Sequence, residues 1–168
     1  MKYLATLFIF VLAHSLYSLF NLHEWHFVQP FLIAVIFLYL AVDDIWLHYG
    51  FAFLAGMLMD AYSANFGLYT ISLLTTVFVL KFLHSTVFTS KNTGTIIALA
   101  FICQASFWLI LILSYFALPY NFLNVSWSML WSIVIFSVID SLLIIFLYIL
   151  YFNIWLKRKA SLQDNYHF

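Results

Sequence analysis

Apolar residues fill this chain in long runs, and short polar breaks divide them into six segments. The first predicted helix covers about 3–20 and stops at the polar stretch 21–26, where Glu24 stands between His23 and His26. Gln29-Pro30 opens the second, over 27–42; a proline in the first turn forfeits no helical hydrogen bond. Asp43-Asp44 make the next break, and the third segment, 45–59, carries His48, Gly50 and Gly56. An upright bilayer crossing needs roughly 20 apolar residues. Two short neighbouring segments therefore predict helices packed within protein, or a locally thinned bilayer. After the break from Asp60 to Asn65, Gly67 opens the fourth segment, 67–84. A polar loop, 85–94, leads to the fifth, 95–118, and Pro119-Tyr120-Asn121 turn the chain into the last, 127–155. That last segment is long enough to tilt strongly or to project from the membrane.

Charge orients these segments. The basic residues are Lys2, Lys81, Lys91, Lys157, Arg158 and Lys159. A six-pass threading with the N-terminus inside puts every one of them on the cytoplasmic side, an extreme form of the positive-inside bias. Both termini are then cytoplasmic, and Lys157-Arg158-Lys159 anchor the last helix against anionic headgroups. Trp25, Trp46, Tyr120, Trp127 and Trp155 fall at predicted borders, where aromatic rings suit the interface. Composition agrees: 67% of the 168 residues are hydrophobic and 7% charged, against about 25% charged in a soluble domain. A formal net charge of zero, with no basic patch beyond the tail, excludes nucleic acid as a partner. No small-x-small cleavage site precedes a polar mature domain, and the next hydrophobic stretch starts almost at once, so the N-terminal segment reads as an uncleaved first helix. Cys103, the single cysteine, has no partner for an internal disulfide and reads as a small buried apolar residue. The expected architecture is an all-α polytopic membrane protein, residues 1–168 forming one bundle of about six transmembrane helices.

One stretch carries a more specific pattern. From His48 through Gly50, Phe53 and Gly56 to Asp60 runs an apolar helix of the form F-x-x-G-x-x-x-D. A short polar turn follows, and Gly67 opens the next helix. With Pro30 at the head of the second segment, the length, the span number and the basic tail, this resembles the MreD family of bacterial rod shape-determining inner-membrane proteins. The resemblance is specific over roughly twenty residues and architectural elsewhere; the short loops and Asp140, where a neutral polar residue is expected, depart from the family's pattern. It implies a fold like that of the substrate-binding subunits of energy-coupling-factor transporters. It also implies a non-enzymatic role without cofactor in the complex that elongates the lateral wall, with an MreC-like bitopic protein, an MreB-like cytoskeleton and wall-synthesis enzymes as partners.

The residues themselves support a scaffold. Asp60 can accept backbone N–H bonds from the following turn or cap the helix near Gly67, or it can meet a partner. Gly67 permits a tight turn; Gly50 and Gly56 are small residues through which helices approach. Asp140 lies in mid-segment between Ser137 and Ser141. Ionised there, it would cost about 2.5–3.5 kcal/mol on insertion scales. It is therefore an ion or substrate site, a protonated or serine-bonded link between helices, or a contact for a partner's helix. A protease-like dyad with Asp60 is excluded by depth, since Asp140 lies roughly 20 Å further in at about 1.5 Å per residue. His23, Glu24 and His26 make a poor zinc set in so short a loop; no metal is expected. His14, His48 and His84 are expected to bond backbone or headgroups, and Asp43-Asp44 to be solvated or to meet a basic partner. The alternative function is a transporter substrate-binding subunit with an outer pocket of Glu24, Trp25, His26 and Asp60. Against it, the first segment lacks a small-xxx-small face: Ile9 separates Ala5 from Ala13.

Overall fold

The computed structural model describes residues 2–22, 29–63, 67–86, 93–117 and 127–151. All regular structure there is helical: α1 (Lys2–Leu22), α2 (Pro30–Ala41), α3 (Ile45–Ser63), α4 (Leu68–Thr86), α5 (Thr93–Ala117) and α6 (Trp127–Tyr151). Three stretches are long and apolar enough to cross a membrane, Leu68–Thr86, Gly94–Ser114 and Leu130–Tyr151. Tyr3–Leu19 and Pro30–Ala41 are apolar but shorter. The readings attached to His23, Glu24, Trp25, His26, Lys91, Tyr120, Trp155 and the basic tail lie outside the described residues.

Helix boundaries follow the polar breaks with one instructive difference. The third helix was expected to stop at Met59, with Asp60 as its breaker; α3 instead continues a further turn to Ser63. Asp60 does not compete for the backbone of its own helix because its carboxylate bonds another one. Ser63 closes the end, its Oγ donating to the Met59 carbonyl at 2.8 Å. At the other end of α3, Asp44 Oδ1 accepts the Leu47 N–H at 3.4 Å. Asp44 is thus an N-cap as well as a loop charge.

The apolar sequence of α2 explains its place. Its residues from Pro30 to Ile36, and Leu38, are all buried, as expected of a helix that is hydrophobic on every side. It is the hub: α1, α3, α4, α5 and α6 all pack on it. Twelve residues rise only about 18 Å, well short of a hydrocarbon core of about 30 Å. Side-chain contacts set its level. The Phe31 ring lies 5.7 Å from Phe10 and 5.4 Å from Tyr17, so α2 begins beside the middle of α1. Gln29, its first capping residue, is 2% exposed. Both ends of α2 meet α6, Gln29 at Asp140 and Ala41 at Tyr151, so these two helices run parallel. α3 and α4 form the most extensive pair, followed by α4 and α5.

Burial is lopsided. Phe31, Leu32, Ile36, Met59, Leu73, Leu80, Leu99, Phe107 and Ile144 are sealed in the core. α1 buries little besides Ala13 and Tyr17, and α6 leaves an apolar row exposed from Leu130 to Leu150. Such a surface has no solvation partner in water and suits lipid or another apolar helix.

Candidate functional site

The glycine–aspartate stretch folds into a tight α3–α4 hairpin. Gly56 and Asp60 are one turn apart and so share a face of α3, and Thr70 lies over both. A Cβ on Gly56 would overlap the Thr70 Cα and come within 2.8 Å of its backbone nitrogen; only glycine lets the helices approach this far. Gly67 sits at φ 81°, a left-handed conformation that glycine adopts without strain. Its carbonyl accepts the Ile71 N–H at 3.0 Å, which makes it the N-cap of α4. An N-cap side chain would normally accept from the second or third helical N–H. Glycine has none, and Asp60 does the work from the neighbouring helix. Its Oδ1 accepts the Tyr69 N–H at 2.9 Å, and its Oδ2 accepts the Thr70 N–H at 3.1 Å and the Thr70 hydroxyl at 2.6 Å. The expected capping of the next helix by Asp60, near Gly67, is therefore present, with both carboxylate oxygens in use.

A second carboxylate meets a second helix N-terminus. Asp140 on α6 is fully buried, and its Oδ2 accepts the Gln29 backbone N–H at 3.4 Å. Gln29 is the N-cap of α2, its carbonyl taking the Ile33 N–H at 3.1 Å. Pro30 brings no N–H, while those of Phe31 and Leu32 have no intrahelical acceptor in a first turn. The positive end of α2 thus points at Asp140. Around it are Gln104 (0% exposed), Ser137 and Ser141. The Gln104 amide lies close enough to act on the carboxyl, yet neither of its polar atoms completes a hydrogen bond among the described residues. Asp140 Oδ1 and Ser141 Oγ are likewise unpaired there.

Two apolar grooves flank α6. One, about 500 Å³, lies between α1 and α6 over α2, with Phe8, Leu12, Pro30, Phe37, Phe146 and Leu147 on its walls. The other, about 370 Å³, lies between α5 and α6 and reaches Ser137 and Trp108. Neither is lined by Asp140 or Gln104.

The anticipated residues thus fall into two groups. Gly56 and Asp60 converge on Thr70, with Gly67 as the N-cap of the same turn; Pro30 and Asp140 meet at the head of α2. Asp60 and Asp140 serve different helices, α4 and α2. Gly50 does not belong with either group: it is exposed, and a Cβ there meets nothing within 4 Å. It was expected to be a helix-approach point, but it lies on the solvent- or lipid-facing side of α3, away from α4. Thr70, Gln29 and Gln104 were missed. The only signal for the last was a lone amide in an apolar run.

The histidines hold the bundle at two other places. His48 bonds the Val42 carbonyl at 2.8 Å, the expected backbone contact. His84, however, pairs with the Tyr39 hydroxyl at 3.3 Å, and His14 Nε2 with the Tyr62 hydroxyl at 3.5 Å; both meet side chains rather than the backbone. Among the described residues, no three metal-ligating side chains come together. No protein-family model matches the chain, and neither curated proteins nor solved structures provide a match.

Proposed function

We propose that this protein is a six-span scaffold of the bacterial inner membrane, with both termini cytoplasmic, that organises cell-wall elongation in the manner of the MreD proteins it resembles. The observation that carries this reading is the α3–α4 hairpin, where the three motif residues Gly56, Asp60 and Gly67 act together on Thr70 and its turn. Both carboxylate oxygens of Asp60 are engaged in holding the two helices together, as a scaffold requires. A second support is the exposed apolar row on α6 and the open side of α1; partner helices, such as that of an MreC-like bitopic protein, would pack on such surfaces through van der Waals contact. An MreB-like filament and wall-synthesis enzymes complete the proposed assembly.

The test is affinity purification of the tagged full chain in mild detergent, with mass spectrometry of co-eluting proteins and small molecules. Recovery of an MreC-like protein with wall-synthesis enzymes is expected, as is rounding of rod-shaped cells on depletion. Recovery of an ATPase pair with a bound vitamin would sink the scaffold and favour a transporter subunit. Normal cell shape in a deletion strain that lacks a second copy would do the same.

A further inference from the structure

We propose that Asp140 is an intramembrane proton-binding site, holding an exchangeable proton on Oδ1 between α6, α5 and the buried head of α2. This rests on α6 lying in a membrane and not on the scaffold role. The surroundings of the carboxyl define the ligand. Asp140 is 0% exposed, and Oδ2 alone is engaged, by the Gln29 N–H at 3.4 Å. Among the described residues, neither Oδ1 nor either polar atom of Gln104, equally buried, completes a hydrogen bond. A proton joins the two groups: Oδ1–H donates to Gln104 Oε1 while Oδ2 keeps the Gln29 N–H, and on ionisation the amide turns so that Gln104 Nε2–H donates to Oδ1. The two grooves beside α6 are lined by other side chains. A metal cation is disfavoured by the positive end of α2 facing the same carboxyl.

Among the described residues, the titratable and charged groups on the elements packed here are few; α1 brings His14 to the head of α2, its ring 6.4 Å from Phe31. From α2, the stretch Pro30–Leu38 has no ionisable side chain, and Tyr39 is engaged with His84 at the other end. From α5 comes Cys103, next to Gln104 and buried; on α6 itself, Ser137 and Ser141 flank the acid and Tyr148 and Tyr151 lie turns away. Lys81, on α4, is exposed. The proton therefore controls the charge at the head of the hub helix. When Asp140 is neutral, the apolar interior is undisturbed. When it ionises, the full charge strengthens the bond to Gln29 and draws on the remaining first-turn N–H groups of α2. Proton occupancy is thereby coupled to the seating of the helix that touches all the others.

The experiment is infrared difference spectroscopy of the full-length protein in lipid nanodiscs, titrated with acid and base, with and without carbon-13 aspartate. A neutral carboxylic-acid carbonyl band that shifts with the isotope, fades as the medium becomes alkaline, and is missing from a folded Asp140→Asn variant is the expected result. A second reading needs no variant: dicyclohexylcarbodiimide, which adds to protonated carboxyls in apolar surroundings, should label Asp140 several-fold more at neutral than at alkaline pH and leave Asp60 unlabelled. Absence of any neutral-acid band from the wild type across the titration, or a band unchanged by Asp140→Asn, would overturn the proposal.

Discussion

Asp60 and Asp140 perform the same task with unequal completeness. Each reaches from its own helix to the N-terminus of another, Asp60 from α3 to α4 and Asp140 from α6 to α2. Asp60 takes three donors at 2.6–3.1 Å; Asp140 takes one at 3.4 Å. The first pair is nine or ten residues apart in sequence and the second 111. In a hairpin, one turn of chain fixes both partners, so glycine, aspartate and threonine are set against each other within a single local unit. The head of α2 and the middle of α6 meet only when the whole bundle is assembled. A buried acceptor left without a donor costs about 1–3 kcal/mol. That unspent capacity is what makes Asp140, and not Asp60, the candidate for chemistry.

If the hairpin is the structural member of the pair, breaking it should have the largest effect. Gly56→Leu forces backbone apart at Thr70 and is expected to lower the unfolding free energy by about 3 kcal/mol, at the upper end of overpacking costs, read by denaturant or heat unfolding in mild detergent. Asp60→Ala should follow at about 2 kcal/mol, since it strips the cap from α4 and leaves Tyr69 and Thr70 donors unpaired. A Thr70→Val partner variant should then show coupling of about 0.5 kcal/mol or more in a double-mutant cycle; strict additivity would mean that the two do not act as one latch. Gly67→Ala meets no atom, so only its left-handed backbone resists, for about 1–2 kcal/mol, and asparagine there should restore part of the loss. Asp140→Asn is the smallest change. The amide is isosteric and can donate to Gln104, so stability should move by about 0.5 kcal/mol or less. A loss as large as that of Asp60→Ala would erase the distinction between the two aspartates.

Much of the fold was readable because bilayer-scale physics acts on single segments. Polar breaks at Asp43-Asp44 and near Gly67 mark helix ends in the sequence and in the structure alike. The hairpin was readable too: glycine, then aspartate four residues on, then glycine seven after that, is a local pattern with a local cause. What misled was Asp60 as a helix breaker, because a carboxylate that finds its donors on another helix has no reason to end its own. Gly50 misled in the opposite way, a small residue with nothing opposite it. Gln104 carried no recognisable motif, because its meaning depends on a neighbour 36 positions away, Asp140.

Sequence by itself determined the helix number, the apolar class of the surface and the Gly56–Asp60–Gly67 turn, since each depends on composition or on neighbours within about three turns. Tertiary structure alone decided that the N-terminus of α2 opens inside the bundle, and that Asp140 and Gln104 meet there. Those facts depend on the relative depth of helices distant in the chain. Depth is set by packing summed over the whole bundle, and no local pattern of residues encodes it.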